Sequence, residues 1–332
     1  MKILVYGAGN IGSLYAAKLM DAGHDVTILA RGARLHDIRA HGIVLQDFRT
    51  GRESTTQIKA VERLAAEDTY DLVLVILPRS SVPEVLPILA SNQKTPSVMF
   101  FGNNAAGSGE MIEALGRKRV LLGFPGAAGV PHDEAIRYLI LDRREQPTTI
   151  GELDGAESSR IKAIEEALQS AGFPISICSN MDAWLKTHVS EIVPTAGALY
   201  MADCDIGQLK GNREALVAMI RAIREGHRVL SALGIPITPA SHKIFRWIPE
   251  FLMVLAIRRK LDDDAWSIRI GHAAAARDEM MAIAREFREL VQHSRVNTPA
   301  MNRLVNYLED VDQSENGEGE PKADLQVETY WN

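Results

Sequence analysis

Two patterns of apolar and polar positions divide this chain. Through the first 150 residues, short apolar runs recur at 3–6, 72–77, 97–101 and 120–124, with a β-favouring stretch at 25–30 and helix-period stretches such as 11–19 and 83–89 between them. Apolar runs of that length, without alternation, are expected of parallel strands covered on both faces. Beyond residue 155 the period becomes helical. Amphipathic stretches run at 158–171, 183–193, 213–233 and 273–293, with stops at Gly172 and at Gly234-Ile235-Pro236. The pattern predicts an α/β chain: an N-terminal Rossmann-like doubly wound parallel sheet over residues 1–155, an all-helical C-terminal domain over 156–308, and a tail over 309–332.

The first strand runs directly into Gly7-Ala8-Gly9-Asn10-Ile11-Gly12, and a helical pattern follows at once. In that context each glycine has a physical task. Gly7 makes the tight turn, Gly9 lets the backbone approach a pyrophosphate, and Gly12 lets the helix pack closely on the strand. The helix N-terminus then offers free N–H groups and a positive dipole end to the phosphates. Gly7, Gly9, Asn10, Ile11 and Gly12 are therefore the expected dinucleotide-binding segment. The bland alternative is an ordinary glycine-rich loop, which the preceding strand and following helix argue against.

The second strand ends in Ala30-Arg31-Gly32-Ala33-Arg34. An NAD-selecting site places a carboxylate here for the ribose 2′-hydroxyl. Two guanidiniums stand in its place, and a planar guanidinium suits a phosphate, so NADP(H) is the expected cofactor, with Arg31 as the first contact. The alternative reads both arginines as solvated loop charges. In a doubly wound sheet the ligand lies beyond the carboxyl ends of the strands, so Pro78-Arg79-Ser80 and Gly102-Asn103-Asn104 are expected on the cofactor side.

Composition narrows the class without changing it. The chain has 332 residues, 46% of them hydrophobic and 24% charged, which suits two soluble domains. No apolar run reaches the length of a membrane helix, and the N-terminal apolar run is a short strand rather than a secretory signal. Two cysteines, Cys178 and Cys204, make neither a disulfide framework nor a four-ligand zinc site, and a cytoplasmic location is expected. From Glu309 onward there are eight acidic residues against one lysine, more than the whole net charge of −6, so this tail is expected to be disordered. The remaining body is near neutral and carries no basic stripe, which excludes nucleic acid as an expected partner. The apolar stretch at 251–255 and Met280-Met281 suggest core or a subunit contact, and a homodimer is the expected assembly. His188 lies about 200° round its helix from Lys186 and is expected to face away from the pocket, and the nine histidines show no metal-ligand spacing.

Several segments, in order, resemble the ketopantoate reductase (2-dehydropantoate 2-reductase) family. They are the glycine turn, the Thr27-to-Gly32 end of strand two, Gly102-Asn103, and Thr149-Ile150-Gly151-Glu152-Leu153-Asp154-Gly155. Trp184-Leu185-Lys186 also fits, as do Ser267, Glu279 and Asn297-Thr298-Pro299 in the last third. The resemblance spans roughly residues 1–308. It implies hydride transfer from NADPH to the ketone of a 2-oxo acid, the namesake reaction being ketopantoate to pantoate on the path to coenzyme A. By the same resemblance Lys186 would be the general acid, Glu279 would hold that lysine or a substrate hydroxyl, Ser267 would bind substrate, and Asn103 would position substrate and nicotinamide. The chemistry agrees: a ketone accepting hydride builds negative charge on oxygen, and a lysine ammonium is both cation and acid. Ser267 and Glu279 are 12 residues apart, about 18 Å along an unbroken helix, so a break is expected between them, at Gly271.

The sequence also departs from the family. Where the family has an asparagine four residues after the lysine, Ser190 stands, and at the following asparagine-proline pair stand Val193 or Pro194. These positions share a helical face with Lys186, which places them in the expected pocket wall, with Ser190 as a substrate contact. The family lysine after the third sheet strand is absent, and Arg79 is the candidate substitute. Loss of amide groups from a hydrogen-bonding pocket changes specificity. The alternatives are therefore a related reductase of another small carbonyl compound, and an NADP(H)-binding sensor without turnover.

Overall fold

The computed structural model describes residues 1–263, 265–266, 268–269 and 276–309. Its centre is an eight-stranded sheet in the order β12-β11-β8-β7-β6-β1-β2-β5, with β5 the short edge strand Lys59–Val61. The strands that matter for the site are β1 (Lys2–Tyr6), β2 (Asp25–Leu29), β6 (Leu72–Val75), β7 (Val98–Phe101) and β8 (Val120–Phe124), all parallel. Apart from β2, they are the apolar runs of the sequence, and both faces are covered, which is why they show no alternation. Order reverses at β1: the chain moves out to β2 on one side and returns to build β6, β7 and β8 on the other. That reversal opens a crevice beyond the carboxyl ends of β1 and β6, where such sheets take their ligands.

Helix α1 (Asn10–Asp21) covers one face of the sheet, and α3 (Val82–Ser91) and α4 (Gly109–Leu115) cover the other. Helix α2 (Gly32–His41) follows β2. A second sheet, β4-β3-β10-β9, was not expected from the sequence. Of its strands, Glu53–Thr56 is polar and Ala127–His132 is broken by glycine and proline, so neither period nor propensity marks them, whereas Ile43–Asp47 and Ala135–Ile140 carry β-favouring residues that the sequence analysis did not use.

The domain boundary expected after residue 155 lies further on. Helix α5 (Ser159–Ser170) is capped by Ser158, whose hydroxyl accepts from the Ile161 N–H. Its apolar face, with Ile161, Ile164 and Leu168, joins the core of the eight-stranded sheet. Strand β12 (Ile175–Ile177) then pairs in parallel with β11 (Thr148–Glu152) at the sheet's edge. The helical domain thus begins at α6 (Met181–Tyr200), not at residue 156.

Helix α6 is crossed tightly twice. A Cβ added at Gly226 of α8 (Arg213–Ala232) would stand 2.9 Å from Ser190 Cβ, and one at Gly197 would stand 2.7 Å from atoms of Leu304 in the Pro299–Glu309 helix. The Arg277–Ser294 helix completes this core with Met280, Ile283 and Phe287. A short 3-10 turn, Ala240–Arg246, and α9 (Glu250–Lys260) lie on α8.

Candidate active site

The side of the crevice at the end of β1 is made of backbone. Gly7 has φ +121°, and a Cβ there would stand 2.2 Å from the Ile76 carbonyl oxygen. At Gly12 a Cβ would stand 2.0 Å from the Gly7 carbonyl oxygen. Neither site admits any side chain. Gly9 is the N-cap of α1, so the amides of the first turn have no helical acceptor and face the crevice. The Asn10 side chain turns away to donate to the Gly129 carbonyl at 3.3 Å, and Ile11 packs partly into the core.

Arg31 is the N-cap of α2, exposed, with Nη2 3.4 Å from the Tyr6 hydroxyl at the end of β1. Arg34, one turn on, donates to the Ala8 carbonyl at 3.3 Å and to Ser13 Oγ at 3.2 Å. Arg34 therefore lies against the glycine turn, while Arg31 stays exposed beside the end of β1. Arg34 was noted in the sequence only as a neighbour.

The opposite wall centres on the loop after β7. Asn103 donates from Nδ2 to Glu279 Oε1 at 2.8 Å across 176 residues of sequence. A carboxylate only accepts, so it fixes which way the amide faces. The Asn103 Oδ1 that results is buried and, among the described residues, has no hydrogen-bond partner. Asn104 closes the loop on itself, donating to the Gly107 carbonyl at 2.9 Å and accepting from the Gly107 N–H at 2.8 Å.

Gly107 abuts the lysine. A Cβ there would lie 3.6 Å from Lys186 Nζ and 3.2 Å from Asp182 Oδ1. Lys186 is 12% exposed and donates to Asp182 Oδ2 at 2.5 Å, an i, i+4 pair on α6. The carboxylate holding the ammonium is thus Asp182, which the sequence reading passed over although the spacing was visible. The loop thus meets Glu279 at Asn103 and Lys186 at Gly107. Ser267 and Gly271 lie outside the described residues.

Two expectations change. Ser190 does not line a pocket: it is fully buried against Gly226, and its hydroxyl donates to the Thr187 carbonyl at 2.7 Å. Val193 and Pro194 are likewise buried in the helical domain. The face that sequence spacing assigned to the pocket is the packing face of α6 from Ser190 onward. Arg79 is 8% exposed, with Nη1 2.7 Å from Glu110 Oε1 and Nε 2.6 Å from Glu286 Oε1. It is held between two carboxylates instead of standing open for a ligand.

His188 is no solvated residue. Its ring packs on Phe124 at the end of β8, 4.2 Å between centroids, and stacks on Trp184 at 5.4 Å. Burial pushes its pKa down to about 4, with His242 adding to the effect and Glu191 and Glu279 opposing it. Behind it, Glu191 Oε1 accepts from His227 Nε2 at 2.9 Å and His242 Nδ1 at 2.8 Å. Burial opposes ionisation of Glu191, but those two hydrogen bonds and the histidine charges outweigh it and hold the carboxyl down at about 2. Among the described residues no cluster of His, Cys, Asp and Glu fits a metal ion, and no helix is long and apolar enough to cross a membrane.

The chain thus sets a glycine turn at the switch point of a parallel sheet, and a lysine paired with a carboxylate on the helix that follows the sheet. The family model described as Ketopantoate reductase PanE/ApbA matches residues 3–155. Over these residues, somewhat under half of its length, the chain is similar to that family. A 2-dehydropantoate 2-reductase of Pyrococcus horikoshii is 23% identical over 240 residues, covering 71% of this chain and 75% of the relative. Among solved structures, a putative ketopantoate reductase from Ralstonia solanacearum aligns with TM-score 0.76 at 19% identity, covering 95% of this chain and 98% of the other. A ternary structure of D-mandelate dehydrogenase with NADH and anilino(oxo)acetate aligns with TM-score 0.75 at 15% identity, covering 96% and 100%. The structural likenesses establish a shared fold over both domains.

Proposed function

We infer that this chain reduces a 2-oxo acid to a 2-hydroxy acid with NADPH, and that 2-dehydropantoate is the first substrate to test. The observation that carries this reading is Asn103. Its buried Oδ1 lacks a donor, its Nδ2 is committed to Glu279, and its loop ends against Lys186. A buried acceptor without a partner costs about 1–3 kcal/mol, so the site is arranged for a ligand that donates there. A nicotinamide carboxamide and a hydroxyl on the substrate both do.

The residues fit a dinucleotide. The closed contacts at Gly7 and Gly12 leave a backbone cradle, and Arg31 and Arg34 stand beside it where a 2′-phosphate would lie. NADPH, when bound, supplies the hydride. Lys186 then offers the ammonium that stabilises and protonates the developing alkoxide. Asp182 keeps that ammonium aimed into the cleft, and Glu279 keeps the Asn103 amide oriented.

A second 2-oxo acid is favoured by the fate of the α6 face. Ser190 has spent its hydroxyl on the helix, and the rings of Phe124, Trp184 and His188 pack together where the end of β8 meets α6. That wall suits a flatter, less hydroxylated substrate. The test is NADPH oxidation at 340 nm with ketopantoate and with phenylglyoxylate, wild type beside Lys186→Ala. Turnover cut about 10²-fold or more by the substitution supports the reading. NADPH binding without turnover on any 2-oxo acid would remove it in favour of a sensor.

A further inference from the structure

Seven residues separate Glu279 from Glu286, which returns an α-helix to within about 20° of the same direction. Both carboxylates project from the Arg277–Ser294 helix onto the loop after β7. Glu279 takes its first residue, through Asn103 Nδ2. Glu286 takes its middle: Oε2 accepts from the Ala105 N–H at 2.8 Å and from the Ala106 N–H at 3.1 Å. The other oxygen, Oε1, lies 2.6 Å from Arg79 Nε, and Arg79 is tied in turn to Glu110 of α4. The far end of the loop, Gly107, rests against Lys186 and Asp182.

We propose that Glu286 is a positioning residue for the active site: it grips the 103–107 loop so that Asn103 meets Glu279 at one end while Gly107 stays against Lys186 at the other. The inference rests on the reductase reading for its kinetic consequence, but not for its structural one. Three features make the loop able to transmit the grip. It is short, it is braced internally by the two Asn104–Gly107 hydrogen bonds, and Asn103 and Asn104 are both buried. Two backbone amides converging on one carboxylate oxygen also fix the peptide planes at 105 and 106, which fixes the directions in which residues 103 and 107 leave. Arg79 then has a task that differs from ligand binding. Its guanidinium, backed by Glu110, anchors Glu286 from the sheet side, so that a residue of the helical domain is referenced to the end of β6.

Glu286→Ala and Glu286→Gln separate the possibilities. The alanine variant is expected to lower kcat at least tenfold while the KM for NADPH stays within about threefold. Hydrogen exchange should rise at residues 104–107 and remain unchanged in the β1–α1 segment. The glutamine variant keeps an oxygen that accepts from both amides but loses the pair with Arg79, so it is expected to recover part of kcat and of the exchange protection at 104–107. A kcat within twofold of wild type in the alanine variant overturns the proposal. So does a loss that glutamine fails to rescue and that accompanies faster exchange throughout the fold, because that pattern marks a merely structural residue. If the wild type reduces no 2-oxo acid, the reductase reading fails separately. The grip is then read from the fluorescence of bound NADPH, expected to change at least twofold in Glu286→Ala and to return in part in Glu286→Gln. An unchanged signal in the alanine variant overturns the proposal in that case too.

Discussion

The two walls of the cleft are built from different materials. The wall formed by β1 and α1 is backbone: glycine at 7 and 12, helix amides, and contacts so close that a single methyl group has nowhere to go. The wall formed by α6 and the Arg277–Ser294 helix is side chain: Lys186 on Asp182, Asn103 on Glu279, and Arg79 between Glu110 and Glu286. A backbone wall holds a common feature of all dinucleotides and tolerates almost no change. A side-chain wall can exchange one polar group for another and remain folded, so it is where a fold of this kind changes substrate. Ser190 and Pro194, where the family pattern has asparagines, fall on the side-chain wall's own helix and leave α6 packed.

The sharpest way to break the comparison is at Gly12. Gly12→Val forces branched carbon into the Gly7 carbonyl, and NADPH binding should be lost beyond detection by fluorescence titration; retained binding would show that the cradle is not closed as described. Glu279→Gln comes next. It keeps the size of the side chain and removes a charge-assisted hydrogen bond of about 1.5–3 kcal/mol, so kcat/KM for the oxo acid should fall about 10- to 100-fold with NADPH affinity little changed. A matching loss of NADPH affinity would merge the two walls into one.

Arg31→Ala tests the outer edge of the backbone wall. It should raise the KM for NADPH about tenfold and leave NADH unaffected, and an equal effect on both cofactors would place Arg31 away from the 2′-phosphate. The smallest expected effect is on acid stability. His188 has its pKa lowered from 6.5 to about 4, so the unfolded chain binds the proton more readily; its contribution is present above pH 6.5 and lost as pH falls toward 4. Glu191, lowered from 4.5 to about 2, adds a further loss below pH 4.5. Thermal unfolding followed from pH 7 to 4 should show a falling Tm that flattens in His188→Gln. A parallel fall in that variant would locate the acid sensitivity elsewhere.

The backbone wall was legible in the sequence because its constraints are local: a strand, three glycines and a helix start within twelve residues, and each glycine is required by contacts of the turn itself. Lys186, Asn103 and Glu279 could be named only through resemblance, since the loop that joins them draws on positions as far apart as 103 and 279. Spacing misled at Ser190. Helical periodicity says which residues share a face, but not that the face leaves the cleft and meets Gly226 one turn later. Arg79 misled for a similar reason, because its position after β6 was readable and its two carboxylate neighbours were not. The β12 edge strand was missed as a three-residue segment that gains its meaning only by pairing with β11.

Helix α6 starts in one core and finishes in another. Met181 and Leu185 belong to the cluster under the sheet, while Val189, Val193, Ala196 and Leu199 belong to that of the helical domain. The two domains are thus spliced by a shared beam instead of being strung on a tether, and the width of the cleft is a matter of that beam's curvature. Pro194 lacks the N–H that would have closed on the Ser190 carbonyl, so the beam has one rung missing just after it has entered the second core.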